Sequence, residues 1–87
     1  MDRAERMRIL GELVTAREEG SKAVERRKGL HGELQTIVNQ AANGRMSEHL
    51  ADQSCRIIRE MEAAHREAEF LRAEAVRWQA QLDEESR

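Results

Sequence analysis

Ala42-Asn43-Gly44-Arg45-Met46-Ser47 decides how this chain folds. It is the one stretch that reads as a stop followed by a start. Gly44 suits the left-handed position that closes a helix. Ser47 suits an N-cap, with Glu48 beside the positive end of the next helix. On either side the chain favours helix, with no proline and an abundance of Glu, Arg, Ala, Gln and Leu. No stretch alternates as a half-buried strand does. The reading is an all-α, coiled-coil-like antiparallel two-helix hairpin. Its helices cover about residues 3–42 and 48–85, in a single domain over residues 1–87.

Apolar spacing supports that reading. In helix two the 3-4 series is Leu50, Ser54, Ile57, Met61, Ala64, Ala68, Leu71, Ala75, Trp78 and Leu82, and nine of the ten are apolar. The pattern holds for more than four heptads. In helix one the series is Ile9, Leu13, Ala16, Gly20, Ala23, Arg27, Leu30, Leu34, Ile37 and Ala41, weaker at Gly20 and Arg27. Folded about the turn, each residue of one series meets a residue of the other whose number brings the total to 91. Gly20 then meets Leu71, and Leu13 meets Trp78, so that small faces large. The same arithmetic also fits two extended chains pairing with each other. Gly11, Gly20, Gly29 and Gly32 weaken helix one by about 1 kcal/mol each relative to Ala. Gly29-Leu30-His31-Gly32 is either a soft stretch of one helix or a break into two.

The positions flanking the seam divide into two sides. One side carries Leu10, Arg17, Val24, His31 and Val38, opposite Ala51, Ile58, His65, Arg72 and Gln79. The other carries Glu12, Glu19, Arg26, Glu33 and Gln40, opposite Gln53, Glu60, Glu67, Glu74 and Gln81. The second side is acidic and reads as solvated. The first has an apolar flank that two helices cannot enclose, which points to a protein partner surface at Leu10, Val24, Val38, Ala51 and Ile58. A homodimer through this flank is the other partner open to it. The bland alternative is that these residues only widen the intramolecular stripe.

Size and composition narrow the function. A chain of 87 residues buries only about 60% of its unfolded surface, so a partner is expected on size grounds. Fifteen basic and seventeen acidic residues are interleaved along it. That balance lacks the basic stripe of a nucleic-acid binder, and Arg26-Arg27-Lys28 lies close to Glu18, Glu19 and Glu25. No run approaches the roughly 18–20 apolar residues of a membrane span. Met1-Asp-Arg-Ala-Glu-Arg6 has no apolar signal region, and the single Cys55 fits a reducing compartment, so the expected location is cytoplasmic.

Catalytic chemistry finds little support. The glycines are dispersed through helical sequence rather than gathered in a phosphate loop. Cys55 reads as a small semi-buried residue, not a nucleophile. Glu62-Ala-Ala-His65 has the Glu-x-x-His spacing of di-iron helical bundles, but such a site needs two of these motifs and two more inward glutamates. No enzyme activity, cofactor or metal is expected. Arg27 within the seam is expected to snorkel outward along Ala64, to pair with a glutamate, or to fix the register.

Three stretches carry a resemblance. Leu13-Val-Thr-Ala-Arg-Glu-Glu19, the Ala42-Asn-Gly-Arg-Met46 turn and Ser47-Glu-His-Leu50 resemble the small E-type co-chaperones of type III secretion needle subunits. The resemblance spans about residues 10–70; helix two runs on past it. It implies a bacterial cytoplasmic helical hairpin that pairs with a helical-repeat chaperone. Together they would keep the needle subunit unpolymerised by covering its amphipathic helix.

Overall fold

The computed structural model describes residues 1–45 and 47–86. Met46, in the turn stretch, lies outside the described residues. Two helices make up the fold, α1 (Arg3–Ala42) and α2 (Glu48–Glu85), with no strand among the described residues. They fold back on each other as an antiparallel hairpin with extents of 63 × 15 × 14 Å.

Local chemistry sets the ends. The Asp2 side chain accepts a hydrogen bond from the Glu5 amide at 2.7 Å, capping α1. Sequence reading had not singled out Asp2, although an Asp three residues before a Glu is a recognised helix start. At the far end Gly44 takes a φ of 76°. Its amide donates to the Ala41 carbonyl, and the Arg45 amide donates to the Gln40 carbonyl, both at 3.0 Å. This pair of bonds is a Schellman closure, and a side chain at Gly44 would strain it. Ser47 Oγ then accepts from the Leu50 amide at 3.2 Å and starts α2.

α1 runs unbroken through Gly29-Leu30-His31-Gly32, so the described residues form two helices and not three. Packing against α2 holds this stretch: Leu30 within it and Leu34 just after it are half-buried. Glycine lowers helix propensity, but a packed neighbour outweighs about 1 kcal/mol per residue.

The core is a single seam. The buried residues are Ile9, Leu13, Ala16, Ala23 and Ile37 from α1, with Ile57, Ala64, Ala68 and Leu82 from α2. All belong to the two 3-4 series, and the other residues of those series are half-buried. Among the described residues, Ile9 and Ile57 are the large side chains fully removed from solvent. At the terminal end Ile9, Leu13 and Leu82 form a cluster, with Leu10, Ala75 and Trp78 packed against it. Trp78 is covered from outside by Arg77, whose guanidinium carbon lies 4.7 Å from the ring centre. That placement combines hydrophobic cover with a cation–π contact.

The register shows in the cross-helix contacts. A Cβ placed on Gly20 would sit 3.6 Å from the Leu71 Cβ, ordinary van der Waals contact. On one side of the seam Arg26 forms an ion pair with Glu67. On the other, Arg17 Nη2 donates to Gln79 Oε1 at 3.0 Å.

Candidate functional site

The flank bearing Leu10, Val24, Val38, Ala51 and Ile58 is where the fold leaves apolar surface uncovered. The five residues differ in their surroundings. Val38 and Ile58 are exposed at 51% and 46%, and Ala51 beside them is exposed too. Val24 is half-buried at the middle of the hairpin. Leu10 is half-buried and packs onto the terminal cluster, so part of its surface already serves the hairpin itself.

Three further apolar residues lie beside this flank. Met7, Val14 and Val76 are exposed, and by heptad position they border the same side near the chain ends. In the heptad pattern Met7 and Val14 lie further round α1 than the flank series, and Val76 one position outside it on α2. Their shared side was legible by extending the heptad one position outward; their exposure required the structure. Phe70, also exposed, lies on the opposite side.

Between the two apolar ends the flank is hollow. Ala16, Gly20, Ser21, Val24, Ala68 and Leu71 line an open groove of about 600 Å³. The groove exists because the seam is built from small residues here. Arg17, Arg72, Glu25 and Glu69 form its rim.

Arg27 sits where its stem lies along the groove, and its guanidinium reaches a residue not anticipated for it. Arg27 Nη1 lies 2.8 Å from His65 Nδ1. A guanidinium only donates, so Nδ1 accepts, and the neutral ring carries its proton on Nε2. The expected alternative, pairing with a glutamate, is not what Arg27 does among the described residues: Glu62 is held by Arg66 and Glu67 by Arg26. Ser54, the polar member of the α2 series, donates its hydroxyl to the Leu50 carbonyl at 2.8 Å and leaves no polar atom stranded.

The acidic side differs from its sequence reading as well. Glu19, Gln53, Glu74 and Gln81 are half-buried rather than freely solvated. Arg77 holds Glu74 at 2.6 Å and Lys22 holds Glu19 at 3.2 Å. Ion pairs of this exposure contribute under about 1 kcal/mol each. They leave the acidic side polar and closed, while the other side stays apolar and open.

Glu62 is paired with Arg66 at 3.2 Å on the surface. Among the described residues no group of three or more His, Cys, Asp or Glu side chains could hold a metal ion. Cys55 is exposed, not semi-buried, because its heptad position lies outside the seam. Among the described residues no helix is long and apolar enough to cross a membrane.

The fold and this flank define an antiparallel helical hairpin with one open apolar side. No family model, curated protein or solved structure matches the chain.

Proposed function

We propose that the protein is a non-enzymatic protein–protein interaction module that works through its open flank. The observation that carries this reading is the joint exposure of Val38, Ala51 and Ile58 toward the turn end, with Ala51 nearest the turn and Val38 between the other two in level. Exposed apolar residues scattered singly need no explanation; a contiguous set on one face of a two-helix protein does. The chemistry suits an amphipathic helix laid along the groove between two helices, with i, i+3 and i+7 side chains as anchors.

The resemblance of residues 10–70 gives the reading its specific form. In that form the hairpin is a cytoplasmic type III secretion co-chaperone. It pairs with a helical-repeat chaperone and helps to keep a needle subunit unpolymerised. The test is reconstitution with a needle subunit and its helical-repeat chaperone, followed by turbidity. Filament growth should slow when the hairpin is present. The doubly substituted Val38→Asp, Ile58→Asp chain should lose that effect while keeping its helical circular dichroism. Filaments growing equally fast with and without the native hairpin would remove the co-chaperone role. Unchanged binding by the double variant would remove the flank as the working surface.

A further inference from the structure

We infer that the open flank is self-complementary and joins two copies of this chain into an antiparallel four-helix bundle. The inference rests on the reading that this flank is an interaction surface, and it names a second copy as the occupant. The observation behind it is a palindrome in the pattern of apolar and charged residues. In α1 the apolar flank positions Leu10 and Val38 lie fourteen residues on either side of Val24. In α2 the flank positions Ile58, His65 and Arg72, taken with the outer positions Glu62, Glu69 and Val76 beside them, are arranged about position 67, which the hairpin register places level with Val24. One two-fold axis, crossing the flank at that level, therefore serves both helices.

The contacts this axis creates match in kind. Val24 meets the partner's Val24 on the axis. Leu10 meets the partner's Val38. Nine residues either side of position 67, Ile58 meets the partner's Val76. Five residues either side, Glu62 meets the partner's Arg72, and two residues either side, His65 meets the partner's Glu69. Each unlike pair occurs twice by symmetry.

The monomer leaves Arg72, Glu69 and His65 ready, while Glu62 already pairs with Arg66 and would share its carboxylate with the partner's Arg72. Arg72 and Glu69 are exposed, and neither has an ion pair among the described residues. His65 spends Nδ1 on Arg27, which leaves its Nε2–H to donate to a carboxylate. Arg17 meets the partner's His31, Ala51 the partner's Asp83 and Gln79 the partner's Cys55, contacts without attraction; Arg17 is already held by Gln79.

The other symmetric arrangement fits less well. Rotation about the long axis of the hairpin would set Arg17 against the partner's Arg72. It would also place Leu10 against the partner's Gln79. Like charges and mismatched polarity both oppose it.

Area agrees with a dimer. A face 63 Å long and 14 Å wide offers about 900 Å² per copy, close to the roughly 800 Å² per partner of a stable interface. The groove beside Gly20 gives the partner's Val24 and Lys28 stem somewhere to pack.

The test begins with the mass of the full chain by light scattering behind a sizing column. The expected mass is about twice the 10.0 kDa of one chain, falling only on strong dilution. The register is read by cross-linking in a Cys55→Ser background. Val24→Cys should form an interchain disulfide on mild oxidation. Val38→Cys alone should not, but should cross-link when mixed with Leu10→Cys. Charge exchange gives an independent reading. Glu62→Arg and Arg72→Glu should each weaken dimerisation by on the order of tenfold, and the two together should restore it.

A monomer up to about millimolar concentration would overturn the dimer, as would Val38→Cys linking to itself in preference to Val24→Cys. A monomer that still binds a different protein through Val38 and Ile58 overturns the dimer alone and leaves the interaction reading standing. Cross-linking at Val24→Cys together with rescue by the double charge exchange supports both.

Discussion

The terminal end of the hairpin and its middle are built from the same seam pattern but solve packing differently. At the terminal end Ile9, Leu13 and Leu82 are buried, with Leu10, Ala75 and Trp78 against them. In the middle the buried residues are Ala16, Ala23, Ala64 and Ala68, beside the half-buried Gly20 and Arg27. Large side chains remove much apolar area from water and anchor one end. Small ones bury little, at about 0.8 kcal/mol per CH₂, yet they let two helices come close. Close approach in the middle also hollows the flank, which is why the groove lies beside Gly20. Stability and openness are thus placed at different levels of one hairpin.

That contrast can be broken from either end. Ile9→Ala should have the largest effect, lowering unfolding free energy by about 2–5 kcal/mol and largely unfolding so small a chain. Urea denaturation followed by circular dichroism measures it. A loss below about 1 kcal/mol would mean that the terminal cluster is no anchor. Ala64→Leu tests the middle, where Ala64 is 1% exposed. Overpacking should cost about 1–3 kcal/mol and push the helices apart. Tolerance of the leucine would show that close approach is not required there.

Two smaller effects sharpen the same picture. At Gly29 and Gly32 an added Cβ meets nothing within 4 Å. Gly29→Ala and Gly32→Ala should therefore each raise stability by up to about 1 kcal/mol, visible as a higher melting temperature. If either lowered it, α1 would be using its glycines for something other than backbone freedom. Glu67→Gln should change stability least, by under about 1 kcal/mol, because its pair with Arg26 is about half exposed. A larger loss in the same denaturation experiment would make that ion pair part of what closes the middle.

Much of this architecture was legible from residue order. The Gly44 and Ser47 signals and the 3-4 series fix two helices spanning Arg3–Ala42 and Glu48–Glu85. The flank was legible as an apolar side, but its content was not. Leu10 proved partly enclosed, because it leans onto the Ile9 cluster. Val76 escaped notice because it lies one position outside the flank series. Arg27 was assigned three possible roles from its place in the seam. Distance alone singled out His65, since a residue adjacent to a seam position becomes a neighbour only once the register and side-chain directions are set.

The sequence by itself determined the all-α class, the turn and the antiparallel register, while the structure decided that α1 runs unbroken through Gly29–Gly32. The class, turn and register follow from local backbone chemistry and from the hydrophobic period of the two helices, which an intramolecular hairpin and a pair of extended chains satisfy alike. Only the tertiary structure decided which flanking residues stay exposed, that the acidic side closes while the apolar side opens, and where the groove falls. Exposure depends on how closely two helices approach at each level. That distance is set by the summed volumes of side chains from both helices, a quantity that no single position carries.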